Sequence, residues 1–501
     1  MIRTILVGAL MMSAEPVQAQ PSPTTEATIE LRPETSDGAV TAIAVSIELT
    51  GGARELTLSA PIVYPGAPGT ADRMQGIVVS DAVGPVPLTT RDDPAVPGGF
   101  PYFRHWSASR AVSYPLKVAY RAAIQPPGGP GGPPFGWRAV GGGASGAGST
   151  LLLLSRHADV AKTHVRWDLG ALPAGSIAST SLGDGPRFSF VGGPERLMAS
   201  WMLVGPAGHY TATGADRGFS AAWLGTPPFD APALMAKSAR AHTWLANYFP
   251  NFKPTPHYRV FMQFRDAPPF GGGTALTHSF MLSRGPSAPG DPDRNPQSTL
   301  FHEMIHQWVG GIDAPAGESS WFSEGLTNYY QDVLQLRSGF IDVAEYGDAI
   351  NDLSEDYFTS KARNWSAGAI TKVGFGDEEI RHTPYRRGAM YFHDLDARIR
   401  AKSGGKRTLD DLMFPMFLAR EKGMRFDTAK WTEMVTAELG PEEQGRFERL
   451  ILTGTDTLEP RADAFGPCFA REATQFDKDG KRIAGYRWVR VARVPDRRCG
   501  R

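Results

Sequence analysis

The sequence predicts a multidomain α+β chain, an N-terminal all-β domain followed by a mostly helical one. Two observations carry this. Residues of the first half alternate apolar and polar with period two, the pattern of half-buried strands. From about Ala233 the apolar residues recur with helical spacing instead. The length of 501 residues suits more than one domain, with 41% hydrophobic and 10% aromatic residues to fill the cores.

From Glu26 to Pro232 the strand signal is clearest where Ile43, Val45, Ile47 and Leu49 alternate with Ala44, Ser46 and Glu48, and where Leu116, Val118 and Tyr120 alternate with Lys117 and Ala119. Glycine (56) and proline (41) are abundant and punctuate these runs. The densest cluster, 125–149, lacks the Lys-Ser/Thr ending of a phosphate-binding loop and reads as a connecting loop. Strands are expected at Tyr258–Phe264 and Leu276–Leu282. Helices are expected at Asn295–Val309, Ser320–Leu336, Val343–Lys361, Pro384–Ala401, Thr408–Leu418, Asp427–Leu439 and Glu442–Leu452, with Pro415 kinking or breaking the fifth. Residues from 458 onward read as a short, charged, turn-rich tail. The expected division is 1–19 signal peptide, 20–232 β domain, 233–457 helical domain and 458–501 tail.

Lys+Arg and Asp+Glu number 52 each, so the net charge is zero, which argues against a nucleic-acid partner. No apolar run approaches the roughly 20 residues of a membrane span. The N-terminus does read as a leader: Arg3, an apolar stretch from Ile5 to Met12, then the small-x-small Val17-Gln18-Ala19. This predicts export, to a periplasm or outside the cell. In such an oxidising compartment the two cysteines, Cys468 and Cys499, would pair. Two cysteines cannot build a zinc ribbon, so any metal must be held by histidine and carboxylate.

The chemistry is concentrated in Phe301-His302-Glu303-Met304-Ile305-His306-Gln307-Trp308. Asn295-Pro296 supplies a helix start and Gly310-Gly311 a stop. Residues four apart share a helix face, so His302 and His306 can present two imidazoles to one Zn²⁺. Glu303 lies about 100° around the helix. It is placed to take a proton from an attacking water and not to ligate. The third ligand should be a carboxylate on the next helix. Glu324 in Ser320-Trp321-Phe322-Ser323-Glu324-Gly325 is preferred over Glu318, which sits in loop-like sequence. Two imidazoles and one carboxylate leave a coordination position open, the arrangement of a catalytic zinc site.

These residues, with Leu326-Thr327-Asn328-Tyr329-Tyr330 after Glu324-Gly325, resemble the gluzincin metallopeptidases. They are most similar to the glycyl aminopeptidase family, which is related to the alanyl-aminopeptidase family. The likeness extends to Pro384-Tyr385-Arg386-Arg387-Gly388-Ala389-Met390 and to Ser403-Gly404-Gly405-Lys406-Arg407-Thr408-Leu409-Asp410-Asp411, covering about 266–418. It implies a thermolysin-like catalytic domain behind the β domain and a peptide or protein substrate. It implies that Tyr385 donates to the oxyanion of the reaction. It also implies that the glycine-rich segment Gly271-Gly272-Gly273-Thr274-Ala275-Leu276-Thr277-His278 lines the cleft, so that Gly272, Gly273, Thr277 and His278 are candidate substrate contacts. Related aminopeptidases carry there a glutamate that binds the substrate's amine. The nearest match here is the uncharged Thr277, which leaves endopeptidase action, or a non-peptide zinc hydrolase, as the alternative. A binding protein that keeps the zinc helix only as scaffold is the rival of another class, disfavoured by the intact Glu303. Asn328 or Asp332 could orient a zinc-bound imidazole, and His382 could reach the cleft.

Overall fold

The computed structural model describes residues 25–499 apart from 66, 98–99, 129–132, 156–159, 268–271, 287–295 and 316. The expected leader, the Asn295 cap and Gly271 lie outside the described residues.

The first half is β structure. A seven-stranded sheet is centred on the hairpin Glu26–Ser36 and Ala39–Leu49, and four- and five-stranded sheets pack with it. The hairpin turns at Asp37 (φ 53) and Gly38 (φ 76), two left-handed residues of the kind a two-residue turn demands. The predicted alternation is present: Val45, Ile47 and Leu49, and Leu116, Val118 and Tyr120, all point into one buried core.

A five-stranded mixed sheet follows, with spatial order 208–211, 219–224, 258–264, 279–284, 273–276. Its first two strands precede residue 232, so the composition change near 233 marks the first long helix and not the start of this sheet. Its strands are apolar on both sides because both sides are covered. Phe219, Ala221, Val260, Met262, Phe280 and Leu282 pack towards the helices. Ala222, Leu224, Phe261 and Met281 pack on Phe135, Trp201 and Leu203 of the β domain. The expected strand Leu276–Leu282 is two strands, Gly273–Leu276 and Ser279–Arg284. Thr277 and His278 form the turn between them, with His278 at φ 49. The turn has none of the glycine or asparagine that normally marks a two-residue connection.

Helix α1 (Ala231–Tyr248) is capped by Asp230, whose carboxylate accepts from the Ala233 N–H. Helix α2 (Gln297–Val309) lays Leu300, Phe301, Met304, Ile305 and Trp308 into the core, each worth about 1.5–3 kcal/mol of burial. Gly310 (φ 59) ends it, and a side chain there would collide with the Arg420 guanidinium that donates to the Val309 carbonyl. Helices α3 (Ser320–Ser338), α4 (Val343–Thr359), α5 (Ala367–Val373), α6 (Glu378–Arg381) and α7 (Thr383–Lys402) complete the surroundings of the site. A capping box between Asp342 and Glu345 starts α4.

One expectation narrows and another fails further on. Pro415 does not break its helix, which runs Asp410–Glu421 with the proline inside. Met413, Met416 and Phe417 are buried around it and hold the turn in place. The tail is not short loops but a hairpin of Phe469–Lys478 and Lys481–Arg490, turned at Asp479 (φ 53) and Gly480 (φ 73). It is fastened to α4 by Asn351, which bonds both backbone groups of Trp488. Cys468 and Cys499 form a disulfide, as expected.

Helices α3 and α7 pack with their backbones in close contact. A Cβ on Gly325 would stand 2.5 Å from the Gly388 Cα, and one on Gly388 2.3 Å from the Trp321 carbonyl oxygen. Only glycine at both positions lets these helix backbones touch. We expect Gly388→Ala to lower stability by about 1–3 kcal/mol, the usual cost of overpacking. A urea midpoint unchanged from the parent protein would show that the helices tolerate separation.

Candidate metal centre and cleft

Helix α2 places His302 and His306 one turn apart, and α3 brings Glu324 against them. The two Nε2 atoms are 3.1 Å apart, and the Glu324 Oε2 lies 3.4 Å from that of His302 and 3.2 Å from that of His306. These are close to the roughly 3.3 Å edge of a tetrahedron whose bonds are the 2.0–2.1 Å of a zinc site.

The protonation pattern explains why these atoms can crowd together. The His302 Nδ1 faces the Gln331 amide oxygen at 3.0 Å, an acceptor, so Nδ1 carries the proton. The Thr327 hydroxyl donates to the Ser323 carbonyl at 2.7 Å, so it accepts from His306 Nδ1 at 3.3 Å. Both Nε2 atoms are therefore bare lone pairs, aimed with a carboxylate oxygen at one point. Among the described residues His302, His306 and Glu324 form the cluster able to hold a metal ion. The donor set fits zinc: two neutral imidazoles, one carboxylate, and room for a fourth ligand. Glu318, the competitor, is not part of the cluster.

Asp332 is not the group that orients a ligand; it accepts from His393 at 3.1 Å. Gln331 and Thr327 take that role. Their neighbours on the same helix were equally plausible from spacing, because the choice depends on how α3 is rotated against α2.

Glu303 sits beside the triad. Burial pushes its carboxyl up to about 7, with a further rise from Glu324. Its carboxylate accepts the Ala275 N–H of the strand Gly273–Leu276. Tyr385, on the first turn of α7, hydrogen-bonds Glu324 and stacks 6.4 Å from the His302 ring. Burial, then the Glu324 charge, keeps its phenol protonated far above the ordinary value. His382 packs edge-on against the Tyr385 ring at 5.1 Å.

These groups open into a cleft of about 610 Å³. Gly273, Thr277 and His278 line one side, while Ile370, Thr371 and Gly374 line another. Gly272 (φ 94) leads into the edge strand, its carbonyl accepting from the Ser283 N–H. A Cβ on Gly273 would be 2.7 Å from the Phe280 ring, so the strand lies this close to Phe280 only as glycine, and the same position is 3.7 Å from the Glu303 Oε1. Phe100 and Phe135 of the β domain form a further wall, which sequence alone did not foretell. The β domain also holds the edge strand itself. The Trp201 Nε1–H donates to the Thr274 carbonyl at 3.1 Å, and the Thr277 N–H to the Ala199 carbonyl at 3.2 Å.

Site and fold together define a metallopeptidase of the zinc-hydrolase class. Residues 296–375, which contain the zinc helix and Glu324, match the family model described as M61 glycyl aminopeptidase. The gluzincin resemblance seen in the sequence is thereby borne out. The fold is similar to that of the aminopeptidase N family protein from Idiomarina loihiensis, with a TM-score of 0.68 at 15% identity, covering 89% of this chain and 79% of that one. It is similar to an M1 zinc metallopeptidase from Deinococcus radiodurans solved with a Tyr-Ser-Ala substrate, with a TM-score of 0.55 at 16% identity over 87% and 95% of the two chains. The yeast LTA4 hydrolase in complex with bestatin gives a TM-score of 0.50 at 13% identity over 90% and 72%. The shared feature is the order of a β-rich domain before a helical one. No curated protein matches the sequence.

Removing the Gln331 acceptor frees the His302 ring to rotate and change tautomer. We expect Gln331→Leu to weaken zinc binding by about 10–100-fold, the usual effect of losing such a partner. Competition with a chromogenic chelator measures it; an unaltered affinity would remove Gln331 from the site.

Proposed function

We propose that the protein is an exported, zinc-dependent peptidase that hydrolyses peptide bonds in an aminopeptidase-like manner. The observation that carries this is the convergence of two proton-free imidazole nitrogens and one carboxylate oxygen beside a buried, unligated glutamate. His302, His306 and Glu324 would hold the zinc, which when bound polarises the scissile carbonyl and makes water acidic.

The remaining work falls to the chain's own residues. Glu303 takes the proton of the attacking water and returns it to the leaving amine. Its apolar surroundings raise its basicity, which suits a base working near neutral pH. Tyr385 stays protonated and donates to the oxygen on which charge develops. Antiparallel alternation turns the peptide groups of Gly273 to the outer edge of its strand, where an extended substrate can add as a further strand. Export is supported by the leader-like first 19 residues and by the Cys468–Cys499 disulfide, a bond at home in oxidising compartments.

One observation favours the alternative of endopeptidase cleavage. The position at which related aminopeptidases bind the substrate's amine is occupied by Thr277, in a turn and without charge. A panel of amino-acyl and internally quenched peptides, with metal analysis of the purified protein, separates the two modes. Hydrolysis of no peptide by the zinc-loaded protein would leave the non-peptide hydrolase.

Glu303→Gln is expected to retain zinc and to lose about 10²–10⁴-fold in kcat. Full turnover in that variant would overturn the base assignment. Tyr385→Phe is expected to lower kcat by about 10²–10³-fold at unchanged zinc content, because it removes one oxyanion donor. An undiminished rate would exclude Tyr385 from the reaction.

A further inference from the structure

The edge strand Gly273–Leu276 looks in two directions. Directly opposite residues of an antiparallel pair share a face. Gly273 lies opposite Leu282 and Ala275 opposite Phe280, and both partners pack towards the helices. The base is on this side, since a Cβ on Gly273 would stand 3.7 Å from the Glu303 Oε1. Thr274 lies opposite Met281 on the other face. There the half-buried Leu276 packs against the cluster that contains Met281, Phe135 and Trp201. One face of the strand is thus turned to Glu303 and the other to the β domain.

The β-domain side of the cleft is an apolar wall. Pro65, Phe100, Pro133 and Phe135 line it together with Leu276. The Phe135 ring stacks on Trp201, with centroids 5.4 Å apart and planes 11° apart, and meets the Tyr64 ring edge-on at 4.7 Å. Its carbonyl accepts from the Ala147 N–H at 2.9 Å and from the Thr150 hydroxyl at 2.6 Å. The ring is therefore fixed in advance, which spares a bound side chain the cost of ordering it.

A peptide laid along the edge strand continues the sheet, so its side chains alternate between the same two faces. The two residues that flank the scissile bond are consecutive. One of them faces the helical layer, and the other meets the β-domain wall. Resting on the peptidase reading, we infer that Phe135 and Leu276 are specificity-determining residues, which select an apolar side chain, aromatic above all, at one of the two residues flanking the scissile bond. Their hold does not extend to the residue across the bond, whose side chain lies on the opposite face.

The test compares penta-alanine amide with the peptides that carry one phenylalanine at each position in turn, mass spectrometry identifying the bond cut. Phenylalanine at one of the two flanking positions is expected to raise kcat/KM at least about tenfold over the all-alanine peptide, the order of discrimination an apolar pocket provides. Phe135→Leu should shrink that ratio and leave any preference at the neighbouring position in place. Leu276→Glu should exchange phenylalanine for lysine at the same position, a change that loss of folding does not produce. Calorimetry on the zinc-loaded Glu303→Gln variant, with and without Leu276→Glu, should show the same preference in Kd without turnover. Ratios near one at both flanking positions, or a ratio that survives Phe135→Leu and Leu276→Glu alike, overturn the inference and leave the peptidase reading intact. Tighter binding of a phenylalanine peptide that Leu276→Glu abolishes, with no hydrolysis by the parent enzyme, sustains the inference and overturns the peptidase reading.

Discussion

Three lone-pair donors with no proton among them are held 3.1–3.4 Å apart in a buried corner. Without a cation this is a repulsive arrangement, and the remaining structure serves to maintain it. Gln331 and Thr327 keep the imidazole protons on the far side of each ring. The core residues on the opposite face of α2, from Leu300 to Trp308, stop that helix from turning the histidines outward. A folded chain that accepts such crowding has its binding energy for a metal set in advance, which is how a preformed ligand set differs from one that assembles on the ion.

The crossing of α3 and α7 shows why the two sequence elements Glu324-Gly325 and Tyr385-x-x-Gly388 belong together. Each glycine permits the other helix backbone to approach, and each lies within one turn of a functional side chain. Glu324 and the Tyr385 hydroxyl meet because their helices touch at Gly325 and Gly388. The spacing in each motif is therefore a packing requirement as much as a chemical one.

Much of this was legible in the sequence, and for identifiable reasons. The i, i+4 histidines and the carboxylate one helix later follow from helix geometry, so local spacing was sufficient. Period two gave the β domain for the same reason. The partners of the two imidazoles were not legible, because Gln331, Asp332 and Asn328 differ only in helix rotation, a tertiary quantity. The hairpin turn at Thr277-His278 escaped notice because no favoured turn residue marks it. The tail hairpin did carry a signal, Asp479-Gly480 between strand-forming residues, that composition as a charged tail concealed. The wall made by Phe100 and Phe135 depends on how two domains meet, and no local pattern encodes that.

The bonds from Trp201 and from the Ala199 carbonyl reach across the domain boundary to the strand beside the base. The β domain is thus a splint for that strand as well as a neighbour of it. Any ligand or partner that rocks the β domain would tilt the rail on which an extended chain is laid, while the histidines, anchored in the helical layer, stay where they are. Because the same strand gives its Ala275 N–H to the Glu303 carboxylate, such a tilt would reach the base together with the grip on the chain.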